Sequence, residues 1–152
     1  VQTFSKSRSM AGARLGFAIA DAELISDLNR IKYSTNPYIV NRLTLAAGEA
    51  AIKDNDYYME NCKKIIEARD YTTLALESLG FQVVPSKANF IFAKSDNIGG
   101  GELYEELKSR GILIRHFSSE KIKEYNRITI GTMDDMKKLI ETVKERSGEQ
   151  TL

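Results

Sequence analysis

The hydrophobic pattern of this 152-residue chain changes period twice, and the changes mark out its elements. Leu15-Gly16-Phe17-Ala18-Ile19-Ala20 is a continuous apolar run, which predicts a short buried strand. Beyond it the period lengthens. Leu24, Ile25, Leu28 and Ile31 recur at helical spacing behind Asp21, a natural N-cap, so a helix is expected over 22–33. Ser34-Thr35-Asn36-Pro37 ends it, because proline disfavours helical geometry in the residue before it. A second helix is expected over 38–53, with Asp54-Asn55-Asp56 as the break. A third over 57–79 carries Met59, Cys62, Ile66, Leu76 and Leu79 on its apolar face, and Gly80 is its stop.

After Gly80 short strand patterns alternate with helices. Strands are expected over 81–84 and 89–93, separated by the turn Pro85-Ser86-Lys87. Gly99-Gly100-Gly101 opens a helix through Arg110 that Gly111 closes, and 112–115 and 127–130 are two further strands. Thr132 and Asp135 have capping-box spacing, and Met136, Leu139, Ile140 and Val143 continue a final helix, with 147–152 as a frayed tail. The order predicts an α+β fold: a small two-layer sheet with helices on one face, preceded by connecting helices. The run at 15–20 has no sheet of its own in this pattern. It is expected either to lack structure or to pair with a second copy.

Composition narrows the function classes. A formal net charge of +1 argues against a nucleic-acid or membrane surface built on bulk charge. One cysteine cannot form an internal disulfide, and one cysteine with one histidine cannot make a conventional zinc site. No apolar run reaches the roughly 20 residues that span a bilayer, and the first residues lack signal-peptide character. A cytoplasmic, reducing compartment is the expectation.

Candidate chemistry gathers around Lys6. A lysine that condenses with an aldehyde needs small neighbours so that a planar group can approach, and Ser5, Ser7, Ser9, Ala11 and Gly12 supply them. It must also shed its proton, which desolvation and nearby positive charge favour, and Arg8 and Arg14 are the nearby cations. The guanidinium of Arg14 can grip a phosphate bidentately. Spacing alone leaves a second reading open, an incidental lysine in a non-enzymatic α+β binding module.

The motif itself is more specific. Thr3-Phe4-Ser5-Lys6 followed by Ala11-Gly12-Ala13-Arg14-Leu15-Gly16-Phe17 resembles the cofactor-lysine segment of the class I/II aminotransferases of fold type I. Asn36-Pro37-Tyr38-Ile39-Val40-Asn41, Pro85-Ser86-Lys87-Ala88-Asn89-Phe90 and Asn126-Arg127-Ile128-Thr129-Ile130-Gly131-Thr132 resemble segments of the histidinol-phosphate branch of that family. The resemblance implies pyridoxal 5'-phosphate as cofactor, joined to Lys6 as a covalent aldimine and held at its phosphate by Ser5 and Arg14. It implies Lys6 as the catalytic base and Arg127 and Arg115 as substrate-binding residues. The implied reaction moves an amino group between histidinol phosphate or glutamate and a 2-oxo acid, in histidine biosynthesis. An aminotransferase for aromatic amino acids, or a related decarboxylase, would share the lysine and the arginines. The implied partners are small molecules, with no nucleic acid or membrane, and a homodimer at full length.

The same resemblance divides the chain. Residues 1–20 would be a remnant of a large pyridoxal-phosphate-binding α/β domain, 21–53 connecting helices, and 54–152 a C-terminal small domain. Family members hold the cofactor's ring nitrogen with an aspartate upstream of the lysine, and residues 1–20 contain no carboxylate. The chain is therefore expected to be a C-terminal part that is inactive alone.

Overall fold

Polar caps decide where the first helices begin. The Asp21 carboxylate accepts a hydrogen bond from the Glu23 backbone N–H at 2.8 Å and starts α1 (Ala22–Thr35). Asn36 Oδ1 accepts from Tyr38 N–H at 3.1 Å, and Asn41 Oδ1 accepts from Thr44 N–H at 2.9 Å. These two asparagines hold 36–41 out of helical geometry, so α2 is Arg42–Lys53 and starts later than the expected 38. α3 follows as Asn55–Ser78, and Gly80, at φ +82°, donates to the Glu77 carbonyl to close it. The computed structural model describes residues 1–149, which fall into two compact units, Val1–Cys62 and a second from Lys63 onward, divided within α3. No helix of the described residues is long and apolar enough to cross a membrane.

In the first unit the apolar run at 15–20 does not become a buried strand. Only Gly16–Phe17 (β2) is extended, paired antiparallel with Gln2–Thr3 (β1) of the same chain, which replaces both expected outcomes for this run. Phe17 is 40% exposed and Ile19 85%. A run this apolar needs a sheet on both sides, and a two-residue partner covers almost none of it. What does bury is Phe4, edge-on to Phe17, while half-buried Leu15 lies against Gly48 of α2, where a Cβ would collide with it. The apolar stripe of α1 is uncovered in this unit. Leu24, Leu28 and Ile31 are all exposed, as is Met59 of α3, and past the division between the units Ile66 of the same helix is exposed too.

The second unit contains the main core. Its sheet orders β3 (Phe81–Val84), β4 (Phe90–Ser95), β6 (Asn126–Thr129) and β5 (Arg115–His116), all antiparallel. α3, α4 (Gly100–Ser109) and α5 (Met133–Glu149) bury Leu76, Leu103, Leu107, Leu139 and Ile140 in one cluster with Ile91, Ala93 and Ile128 of the sheet. The fold is thus the expected α+β arrangement with helices on a single face. The strand expected at 112–115 moves to Arg115–His116. Gly111 (φ +79°) donates to the Lys108 carbonyl and Ile112 to the Leu107 carbonyl, a Schellman closure that keeps Ile112 in the helix exit. α5 extends to Glu149, past the expected tail boundary at 147, and residues 150–152 of that tail lie outside the described residues.

Two contacts in this unit give direct predictions. A Cβ on Gly100 would stand 2.5 Å from the Lys123 carbonyl oxygen and 2.8 Å from the Glu124 carbonyl carbon, both backbone atoms that cannot swing aside. Gly100→Ala is expected to destabilise the unit by about 1–3 kcal/mol, read as a lowered urea midpoint. At the start of α5 the capping box forms as expected. Asp135 N–H donates to Thr132 Oγ1 at 3.2 Å, and Thr132 N–H donates back to Asp135 Oδ2 at 3.0 Å. The Thr132 hydroxyl, then its backbone N–H, hold the Asp135 carboxyl below its ordinary range. Because the folded value is the lower one, this contribution is complete above the unfolded value and is lost as pH falls through the folded one. Urea titrations should therefore show Asp135→Asn less stable than the parent chain near neutral pH, with the gap closing on acidification.

Candidate active site

The lysine segment forms a closed turn at the mouth of the β1–β2 hairpin. Phe4 N–H donates to the Leu15 carbonyl, Met10 N–H to the Phe4 carbonyl and Ser9 N–H to the Lys6 carbonyl, each at 3.0 Å. Within this turn Ser5 is half-buried and Lys6 is exposed. Among the described residues Ser9 (φ 57°) and Arg14 (φ 53°) are the two non-glycine residues in the left-handed region, a conformation that costs about 1 kcal/mol or more and gathers at functional sites. The Arg14 guanidinium donates to the Ala11 carbonyl at 3.3 Å, and a Cβ placed on neighbouring Gly12 would meet nothing within 4 Å. Among the described residues no carboxylate pairs with Lys6 or Arg14, nor with Arg8. An amine, a hydroxyl and an uncompensated guanidinium beside open space fit a phosphate-bearing aldehyde.

Arg8 is different from its neighbours. Its Nη1 donates to the carbonyl of Ala51 in the last turn of α2, and its Cζ lies 4.1 Å from the Tyr58 ring centroid and 5.9 Å from that of Phe4.

The second unit holds its own basic set on the open face of the sheet. Burial alternates along β4 and β6: Ile91, Ala93, Asn126 and Ile128 face the core, so Phe90, Phe92, Arg127 and Thr129 face outward. Register then lines up Val84, Phe92, Arg127 and Arg115 as one cross-strand row, with the two arginines directly opposite. Like charges in that relation repel. No carboxylate among the described residues compensates either one. Each guanidinium instead lies over an aromatic ring, Arg127 over Phe90 and Arg115 over Phe117, both at 5.5 Å. Phe92 stacks on Tyr125 at 4.7 Å and meets Phe117 edge-on at 6.0 Å. A pair of unpaired cations on an aromatic floor is suited to a dianion.

The turn before β4 is fixed from below. Buried Arg69 of α3 donates to the Ala88 carbonyl at 3.2 Å, Ser86 Oγ donates to the Phe90 carbonyl at 2.7 Å, and the Asn89 carbonyl accepts from Ile130 N–H at 2.9 Å. Asn89 acts here through its backbone.

Lys6, Ser5 and Arg14 thus share one turn, and Arg115 and Arg127 share one sheet row. Sequence reading took Arg8 only as a nearby cation and missed both its anchoring contacts and the aromatic floor. The floor had a visible signal, since Phe90, Phe92 and Lys94 alternate with Ile91, Ala93 and Ser95. The anchoring of Arg8 had none, because its hydrogen-bond acceptor, Ala51, lies 43 residues downstream and Tyr58 lies further still.

The sequence and the fold define a class of protein. Residues 1–143 match the family described as aminotransferase class I and II, and the chain belongs to that family. More particularly, it is 51% identical over 144 residues to the histidinol-phosphate aminotransferase of Brachyspira hyodysenteriae, a match covering 95% of this chain and 41% of that protein. The chain therefore spans about two-fifths of that curated relative's length, 41%. Among solved structures it is similar to the histidinol-phosphate aminotransferase from Clostridium acetobutylicum, with TM-score 0.79, 26% identity and coverage of 97% and 45% of the two chains. It is also similar to the Sinorhizobium meliloti histidinol-phosphate aminotransferase in complex with pyridoxal-5'-phosphate, with TM-score 0.75, 26% identity and coverage of 94% and 40%.

Proposed function

We propose that this chain carries the lysine-bearing and substrate-arginine segments of a pyridoxal-phosphate-dependent aminotransferase acting on histidinol phosphate. The observation that carries the reading is the loop between β1 and β2, which bears exposed Lys6, half-buried Ser5 and an Arg14 guanidinium with no carboxylate partner among the described residues. When bound, pyridoxal phosphate supplies an electron-withdrawing ring conjugated to the substrate's amino-bearing carbon. Ser5 and Arg14 would hold its phosphate, and Lys6 would be its covalent attachment point. With the cofactor in place, Lys6 Nζ would accept the proton lost from the substrate's amino-bearing carbon and relay it as the general base of the 1,3-proton shift. Arg127 and Arg115 bind the anionic ends of the substrates. Histidinol phosphate and glutamate each carry two negative charges near neutral pH, so one cationic pair serves both halves of the exchange.

Family members act as dimers on amino and 2-oxo acids, and the same assembly is proposed for the full-length protein, with residues 1–20 in its large domain, 21–53 as connecting helices and 54–152 as its small domain. The test is product analysis with full-length protein and pyridoxal phosphate. Histidinol phosphate and 2-oxoglutarate are expected to give glutamate and the corresponding carbonyl phosphate. Amino transfer from aromatic amino acids alone, or release of carbon dioxide in place of amino transfer, would overturn the substrate assignment.

A further inference from the structure

We infer that Arg8 is a positioning residue for Lys6, a clamp that fastens the reactive turn to the helices behind it. The inference rests on Lys6 being the residue that carries the cofactor. Phe4 and Arg8 stand two positions to either side of Lys6, and both are anchored. Phe4 is buried at 3% exposure, and its N–H and carbonyl are both bonded within the hairpin. Arg8 reaches back to the Ala51 carbonyl, one of the last four of α2, which lack intrahelical donors and carry the negative end of the helix dipole. Its guanidinium also lies 4.1 Å from the ring centroid of Tyr58, in the first turn of α3. A charge-assisted hydrogen bond and a cation–π contact on one planar group fix its position more tightly than either alone.

Lys6, with Ser7, is left exposed between two anchors, its carbonyl held by Ser9 N–H. An amine presented this way loses little further backbone freedom when it meets its target, which raises its effective concentration there. Arg8 is not offered as a phosphate ligand. Its donors and its charge are directed to the Ala51 carbonyl and the two rings, whereas Arg14 retains an uncompensated guanidinium.

The test compares the full-length protein with Arg8→Gln, Arg8→Lys, Tyr58→Leu and Tyr58→Phe. Without cofactor, hydrogen exchange at the Ser9 and Met10 amides is expected to quicken by about tenfold in Arg8→Gln and Tyr58→Leu, the size set by losing one such contact. Tyr58→Phe keeps the ring and should exchange like the parent, Arg8→Lys should fall between, and the amides of α5 should be unchanged in all four. With pyridoxal phosphate at subsaturating concentration, borohydride traps the Lys6 adduct: Nζ adds to the aldehyde carbon, water leaves, and borohydride supplies the hydride. Labelling at Lys6 should fall by about the same factor in Arg8→Gln and Tyr58→Leu and recover in Tyr58→Phe. Unchanged turn exchange in Arg8→Gln overturns the clamp. Quickened exchange with unchanged Lys6 labelling overturns the positioning role and leaves Arg8 purely structural. If the unaltered protein takes no label at Lys6, the cofactor reading fails first and the inference fails with it.

Discussion

Replacing Leu76 with alanine is expected to destabilise the second unit by about 2–5 kcal/mol, the largest effect of any single substitution considered for this fold. Leu76 is fully buried on α3, in the cluster that joins α3, α4 and α5 to the sheet. The loss combines the transfer free energy of the missing carbons with the cavity they leave, and helices packed from one side only can close that cavity incompletely. Leu74, two residues earlier and 68% exposed, is the internal control. Leu74→Ala should stay within about 0.5 kcal/mol of the parent. Urea unfolding reads both, and the account requires the midpoint to move strongly in Leu76→Ala while the slope does not. Equal shifts in the two variants would mean that the packing face of α3 is wrongly assigned.

Arg127→Gln is expected to weaken binding of a doubly anionic substrate by roughly 10- to 150-fold, the equivalent of losing a charged hydrogen bond of about 1.5–3 kcal/mol. The loss should appear in KM for glutamate and for histidinol phosphate in the full-length protein. Arg127→Lys should recover only part of it, since an ammonium has neither the fork that matches a carboxylate or phosphate nor the plane that lies over Phe90. Arg115 faces Arg127 directly across β5 and β6, so the two guanidinia repel in the absence of an anion. Arg115→Gln should therefore weaken substrate binding yet slightly raise stability at low salt, an advantage that disappears as salt screens the pair. A KM that ignores both substitutions would reduce the row to an exposed edge charge.

Much of this was legible in the chain itself. The cap at Asp21, the stops at Gly80 and Gly111 and the box at Thr132 and Asp135 each act over a few residues, and each appears where the local pattern puts it, whereas the Asn41 cap starts α2 later than the pattern puts it. Local reading went wrong where partners decide. Ile112 is as good a strand former as any residue here, yet the Schellman closure of α4 claims its N–H first. The run at 15–20 has strand composition but only a two-residue partner, so most of it stays exposed. Site residues followed the same division. Lys6, Ser5 and Arg14 announce themselves within ten positions, Arg127 sits in a short motif, and Arg115 ends the apolar run Ile112-Leu113-Ile114. That the two arginines share a row depends on strand register, and the anchoring of Arg8 depends on contacts with Ala51 and Tyr58.

Cofactor attachment is the claim on which the rest depends, and it can be read at a single atom. Full-length protein is incubated with pyridoxal phosphate, reduced with borohydride, digested and mapped by mass spectrometry. The account predicts one reduced pyridoxyl group on Nζ of Lys6, absent from Lys6→Arg and diminished in Arg14→Gln, which loses the phosphate anchor. A label on another lysine of this chain, with Lys6 unmodified, would contradict it.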